Sequence, residues 1–328
     1  MSLGIPNLDS GLESELEANM ARVEELLRSH IVGKYPLVIE TSRHLVEAGG
    51  KRLRPLLTLL GAQFGQPNNE KVIQAAVVCE LTHLATLYHD DVMDEAPLRR
   101  GVESANNRWG NTVAILTGDY LFAKTSALLA DLGPEAVRIH AQTFERLVIG
   151  QIMETQGQTE GMSLLDHYTQ VIADKTGSLI ATSARYGAIF AGASAKDIEI
   201  LTQYGEKIGI LFQLADDIID IASETDESGK TPGTDLREGV PTMVTVHILE
   251  SHNPDDAKLK ALLSAPIHDE EIVASTLKAL RTHTAMKISR DLLVKYADEA
   301  KGLVADLNNS PAKDALVSLC DGIITRTA

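Results

Sequence analysis

Apolar residues recur at steps of three and four along almost the whole chain, a period that only an α-helix converts into one buried face. The stretch from Asp9 to Ser29 sets the pattern with Leu12, Leu16, Met20, Val23 and Leu27, its acids lying on the other side. The same spacing predicts helices from about Asn69 to Glu95, Thr112 to Leu132, Glu135 to Gln156, Ser178 to Ala191 and Ala195 to Ser223. A late pair is expected near Asp269 to Leu307 and Pro311 to Thr327. Alternating strand patterns are nearly absent. Gly49-Gly50, Gln66 to Asn69, Ala96-Pro97, Gly133-Pro134 and Gly229 to Gly239 mark the loops. The 328 residues are 44% hydrophobic, and no linker-like stretch divides them. One all-α domain over residues 1–328, built as a helical bundle, is the expected architecture.

Two acid clusters interrupt this apolar background. Asp90-Asp91-Val92-Met93-Asp94 recurs downstream as Asp216-Asp217-Ile218-Ile219-Asp220, each closing a long helical stretch. Residues four apart share a helix face, so Asp90 with Asp94, and Asp216 with Asp220, each aim two carboxylates one way. A solvated helix face is the ordinary meaning of a charge run. Here the neighbours are Leu84, Leu87 and Val92 around the first, and Leu211, Leu214, Ile218 and Ile219 around the second. Two such rows turned toward each other would repel unless cations sat between them. Hard divalent ions with oxygen ligands, above all Mg2+, fit that need, and Mg2+ commonly shares its carboxylates with substrate phosphates. The repeated spacing therefore predicts a metal site and a phosphorylated ligand.

The formal net charge of −16 argues against nucleic acid or an anionic membrane surface as the main partner. Two cysteines, Cys79 and Cys320, give no disulfide framework. The N-terminal residues show no signal-peptide pattern, and no segment has the uninterrupted apolar length expected of a membrane span. A soluble, cytoplasmic protein is expected.

In so acidic a chain the cationic turns stand out. Gly49-Gly50-Lys51-Arg52-Leu53-Arg54-Pro55 packs three cations behind two glycines, a natural anion site beside backbone N–H groups. Pro97 bars continuation of the first acidic helix, so Arg99 and Arg100 emerge just beyond it, pointing opposite ways if extended. His83 lies seven residues before Asp90, two helical turns away on the same face. Lys175-Thr176 falls at an expected helix break before Gly177, and Gln213 lies one turn before Asp216. Lys230 sits in a glycine-rich loop suited to a mobile lid. That loop ends like a P-loop but lacks the upstream glycine and strand. Gly205 and Gly209 point to close helix packing.

Taken together, these blocks resemble the trans-isoprenyl diphosphate synthases of the polyprenyl synthase type. Gly49–Pro55, His83 with Asp90–Arg100, Lys175-Thr176, Gln213–Asp220 and Gly229–Thr242 occur in family order over most of the chain. The resemblance implies a class I isoprenoid synthase-type bundle around a deep central cavity, normally a homodimer. It implies that Lys51, Arg54, His83 and Arg100 hold isopentenyl diphosphate. Asp90, Asp94 and Asp216 would ligate Mg2+ bridging to an allylic diphosphate, with Asp220 completing the second cluster. Arg99, Lys175 and Lys230 would be further charge partners, and Thr176 and Gln213 would flank the reacting carbons. The chain departs from many relatives in carrying Thr234 and Val240 where they have lysines in the last block.

In this family the residues one turn before the first acid cluster cap the cavity for the prenyl tail. Here they are Ala85 and Thr86, both small. A helix of about twenty residues spans roughly 30 Å, so an open floor implies a membrane-seeking product of about C30 to C50, as in quinone side chains. A geranylgeranyl diphosphate synthase is the rival, with Phe122 as a deeper block. A class I terpene cyclase would have a different second metal motif and no need of Gly49–Pro55. A non-catalytic subunit would have eroded aspartates, and a magnesium-dependent phosphatase is the remaining alternative.

Overall fold

In the computed structural model, residues 3–158, 160–223 and 232–327 are described. They are almost wholly helical. In chain order the helices begin with α1 (Ser10–His30), α2 (Pro36–Glu47), α3 (Leu53–Ala62), α4 (Glu70–Met93), α5 (Ala105–Trp109), α6 (Asn111–Leu132) and α7 (Pro134–Gln156). They continue with α8 (Leu164–Ile172), α9 (Ser178–Ala191), α10 (Ala195–Ala222), α11 (Thr234–Glu238), α12 (Met243–Leu249) and α13 (Ala257–Leu263). The last three are α14 (Glu270–Thr282), α15 (Thr284–Val304) and α16 (Pro311–Thr325). Among the described residues the strands are β1 (Leu98–Arg99) and β2 (Val102–Glu103), a minimal antiparallel hairpin.

Local chemistry sets the boundaries. Asp9 caps α1 by accepting from the N–H groups of Gly11 and Leu12, and Asn69 caps α4 through Lys71. Gly133 at φ +113 ends α6, and Pro134 opens α7 at the first helical position. The expected helix from Asp269 to Leu307 is two, α14 and α15. His283 is extended between them, its Nδ1 accepting from Ala285 N as the N-cap of α15. An unbroken apolar period hid that stop, because histidine is an uncommon cap. Helices α2, α3, α8, α12 and α13 are too short for their period to stand out from the flanking turns.

The chain forms two compact units. The first contains residues 1–144, 179–205 and 307–316; the second contains 145–178, 206–306 and 317–328. In the first, α4 is the central rod, packed against α1, α3, α5 and α6. Its buried residues cover every side from Val72 to Tyr88, as expected of a helix enclosed by neighbours. Gly205 lets α10 touch α9, since a Cβ there would lie 2.7 Å from Ala181 Cα. In the second unit, α12 packs on α8, α13 and α15.

Helix α6 is the one described helix long and apolar enough to cross a membrane by length and composition. The sequence expectation passed over it because Asp119 and Lys124 interrupt the apolar run. In the first unit α6 packs on α4, α5 and α2, while Ile115 and Leu116 stay exposed.

Candidate active site

Both acid clusters occupy the last turns of their helices, where unpaired carbonyls and the helix dipole already make the environment negative. Neither α4 nor α10 has a basic residue in its last turn. Carboxylates placed there favour an external cation.

In the first unit, Asp94 is the C-cap of α4 and is exposed, while Asp90 is half-buried. The middle residue is the buried one. Asp91 is fully buried, and its Oδ1 accepts from Arg99 Nε at 2.5 Å. Burial pushes its carboxyl upward from the ordinary range, against the pull of Arg99. Arg99 Nη2 also stands 4.0 Å from Asp94 Oδ2.

The segment after Pro97 is a tight hairpin rather than an open loop. Arg100 and Gly101 form its turn at φ +55 and +76, the left-handed pair that a two-residue hairpin requires. That turn sends Arg99 toward the aspartates and Arg100 toward the glycine turn. Arg100 Nη1 donates to the carbonyls of Leu45 (2.8 Å) and Gly49. A Cβ at Gly50 would fall 2.9 Å from the Arg100 guanidinium carbon, so glycine is what admits the arginine.

Arg52 serves structure. It is 3% exposed, at φ +49, and donates to Glu24 (2.5 Å), Glu80 (2.7 Å) and the carbonyls of Val46 and Gly49. Lys51 is exposed on the same turn. Arg54 differs from Arg52: its buried Nε has no hydrogen-bond partner among the described residues, and burial brings its guanidinium down to about 10 despite nearby Glu80. His83 is held well below its ordinary value by burial, then by Arg54, Arg100, Arg99 and Arg52. The imidazole is neutral beside these arginines, of which Glu80 pairs with Arg52 and Arg100 and Asp91 with Arg99, and its one N–H can donate to an anion. Thus the structure gathers Arg54, His83, Arg99 and Arg100 around the end of α4.

Thr86 donates back to the His83 carbonyl at 2.8 Å, and Ala85 is completely buried. Helix α6 comes so close that a Cβ at Gly118 would lie 2.3 Å from His89 Nε2 and 3.0 Å from the Ala85 carbonyl oxygen. Phe122, one turn further on, meets His89 and Phe144 at ring separations of 5.7 and 4.7 Å.

In the second unit, the expected break before Gly177 is absent. Residues Ala173–Gly177 form a π-helical turn that joins α8 to α9 without interruption, and Lys175-Thr176 lie in it. Such turns widen a helix and re-aim side chains, often at functional sites. Helix α7 approaches this turn through Gly150, where a Cβ would fall 2.5 Å from Lys175 N. Lys175 Nζ donates to Glu154, and Thr176 Oγ1 donates to Gln213 Oε1 at 3.3 Å.

On α10 the three aspartates diverge. Asp216 is half-buried and accepts from Arg326 Nη2 at 3.0 Å. Asp217 is 3% exposed, and burial pushes its carboxyl up to about 6, against hydrogen bonds from Tyr168, Gln213 and Met243 N. Asp220 is also buried. Its backbone oxygen accepts from Gly233 N (3.0 Å), and its carboxylate from Thr234 N (3.1 Å) and Asp235 N (3.4 Å), which fastens the start of α11. Lys230 lies outside the described residues. Arg326 was not legible in the sequence as a site residue, since a lone arginine near a terminus carries no spacing signal.

Among the described residues, no group of three or more His, Cys, Asp or Glu side chains gathers to hold a metal by itself. Mg2+ needs no such cage, because it takes one or two carboxylates and completes its shell with water and phosphate. The donor chemistry fits: hard oxygens at negative helix ends, one of which, Asp216, already carries a guanidinium as a stand-in cation.

The family model for polyprenyl synthetase matches residues 35–280. The chain belongs to the polyprenyl synthetase family. It is 47% identical over 324 residues to nonaprenyl diphosphate synthase of Mycobacterium tuberculosis, covering 98% of this chain and 97% of that one. A dimethylallyltranstransferase of the same organism is 36% identical, covering 99% of this chain and 98% of that one. Among solved structures, a geranylgeranyl pyrophosphate synthase of Corynebacterium glutamicum, complexed with calcium and isoprenyl diphosphate, superposes with a TM-score of 0.87. It is 43% identical and covers 97% of this chain and 98% of that one. Membership makes this chain an all-α prenyltransferase, in agreement with the sequence expectation.

Proposed function

We propose that this protein condenses isopentenyl diphosphate head-to-tail onto an allylic diphosphate in a Mg2+-dependent reaction, and that its product is long, of the quinone side-chain class. The observation that carries the reading is the nearness of Arg54, His83, Arg99 and Arg100 to Asp90–Asp94, which joins anion-binding N–H donors, among them the buried Nε of Arg54 that has no partner among the described residues, to a cation-seeking helix end. A phosphatase needs only the second of these, and a cyclase has no second diphosphate to hold.

Asp90, Asp94, Asp216 and Asp220 are the proposed Mg2+ ligands. Bound Mg2+ supplies neutralisation of the charge that develops on the departing diphosphate. Arg99, Lys175 and Lys230 add fixed positive charge to the same leaving group. Lys51, Arg54, His83 and Arg100 hold isopentenyl diphosphate so that its double bond faces the allylic carbon. The oxygens of Thr176 and Gln213 face the carbons that carry positive charge, and the released diphosphate accepts the final proton. Exclusion of water protects the allylic cation.

Small residues at Ala85 and Thr86, together with the nonaprenyl relative, support a long product. A geranylgeranyl product is favoured instead by the aromatic group of Phe122, Phe144 and His89, and by the Corynebacterium relative. A homodimer is supported by the exposed Ile115 and Leu116 of α6, and the proposed location is the cytoplasm. The test is incubation of the purified protein with an allylic diphosphate, with and without isopentenyl diphosphate, followed by chromatography. Elongation only with both substrates supports the reaction. Product of C20 or shorter overturns the long-chain assignment, and cyclised hydrocarbon or dephosphorylation overturns the whole reading.

A further inference from the structure

In the second acid cluster the middle aspartate, Asp217, has an unusually complete set of partners. Asp217 Oδ2 accepts from the Tyr168 hydroxyl at 2.5 Å and from Met243 N at 3.1 Å, while Oδ1 accepts from Gln213 Nε2 at 3.0 Å. Tyr168 on α8 and Asp217 on α10 are both buried, and Met243 N opens α12, so three helices meet at one carboxylate. With Oδ2 held by the Met243 N–H, which can only donate, Oδ1 is turned to Gln213 and accepts from its NH2. The amide oxygen is left on the opposite side, where it accepts from Thr176 Oγ1.

We infer that Tyr168 and Asp217 are positioning residues that lock the Gln213 amide with its oxygen toward Thr176, fixing the sign of the dipole presented to the reacting carbons. The inference rests on the proposed role of Gln213 and Thr176. A negative amide end stabilises a developing carbocation; a reversed amide presents its positive end and opposes it. The lock works because backbone and phenol partners hold Oδ2 as an acceptor. In Asp217→Asn the backbone N–H of Met243 cannot turn round, so the remaining oxygen must stay on that side. The new NH2 then confronts Gln213 and drives its amide to flip. Tyr168→Phe keeps the carboxylate but removes the bond that restrains its rotation.

The test is a double-mutant cycle on the full-length protein. Initial rates are measured with an allylic diphosphate and isopentenyl diphosphate for wild type, D217N, Q213A and D217N/Q213A. Y168F and Y168F/Q213A form a second cycle, with melting curves for every variant. Because hydrogen bonds to charged groups are among the stronger ones, D217N is expected to lower kcat about tenfold or more. Both KM values should stay within about twofold. Y168F should lose less. A residue that acts only through Gln213 has nothing left to do once that side chain is gone, so D217N/Q213A should match Q213A within about twofold. Multiplying losses, or a wild-type kcat in D217N, overturn the inference. Should D217N fail to fold, the Y168F cycle decides by the same criterion. A wild-type protein that does not elongate overturns the functional reading and this inference with it; an elongating wild type with multiplying losses overturns the inference alone.

Discussion

Arg326, in the last turn of the chain, donates through Nη2 to Asp216 Oδ1 at 3.0 Å, with its guanidinium 5.2 Å from the centre of the Phe212 ring. A cation supplied by the protein thus occupies the carboxylate proposed to receive Mg2+. Both side chains are about a third exposed or less, so the pair is weak, of order 0.2–1 kcal/mol. Arg326→Ala is expected to lower the Mg2+ concentration for half-maximal activity by roughly two- to fivefold. A Mg2+ titration at fixed substrate measures this, and an increased requirement would show that Arg326 assists metal binding instead.

Arg54 is the buried cation of the glycine turn whose Nε has no partner among the described residues. Charge-assisted hydrogen bonds are worth about 1.5–3 kcal/mol, so Arg54→Ala should raise KM for isopentenyl diphosphate roughly 10- to 100-fold. The KM for the allylic substrate should change far less. Steady-state kinetics with each substrate varied separately distinguishes the two, and equal effects on both would remove Arg54 from the isopentenyl diphosphate site.

Burial lowers the imidazole of His140 to about 4, from an ordinary 6.5. Its Nε2 lies 2.9 Å from Thr82 Oγ1, whose own proton goes to the Val78 carbonyl, so the ring nitrogen donates. The unfolded chain takes up a proton that the folded chain refuses between those two values. Stability therefore falls as pH drops through that window, by up to about 3 kcal/mol for this residue near pH 4. His140→Leu should flatten the pH dependence of the urea midpoint between about pH 6.5 and 4. An unchanged slope would mean that this imidazole is protonated in the folded state.

Gly150 admits the π-helical turn to the side of α7. A methyl group there would stand 2.5 Å from Lys175 N and 3.0 Å from its Cα, with backbone on the receiving side that cannot step aside cheaply. Overpacking of this kind costs about 1–3 kcal/mol. Gly150→Ala should lower the melting temperature by several degrees and reduce kcat as Lys175 and Thr176 shift. A variant that melts and turns over like the wild type would show that α7 and the turn are not in such close contact.

The long helices were legible because their period runs for three turns or more. Asp9 and Asn69, the expected first residues of two helices, are the N-caps of α1 and α4, and Ser178–Ala191 needed no revision. The basic turn, the acid clusters and the double arginine were likewise visible as unlike residues in an apolar or acidic setting. The π-helical turn was not, since Ala173–Gly177 differs from an α-helical segment in hydrogen-bond register, which no residue type announces. Residue type alone did not separate Arg52 from Arg54, two residues away in one motif, and only the family resemblance chose Arg54: in the structure the first anchors Glu24 and Glu80, while the Nε of the second has no partner among the described residues.

What the sequence determined by itself is the helical class and the points along it where acids and bases interrupt the apolar background, because the apolar period of a helix makes unlike residues stand out. Tertiary structure decided how those groups are spent. It gave Asp91 to Arg99 and Asp217 to Tyr168, and it set Asp220 on the start of α11 and Arg326 on Asp216. Each of these choices depends on which partner another segment brings within hydrogen-bond reach in a place that water has left. Spacing along a single helix carries no information about that partner.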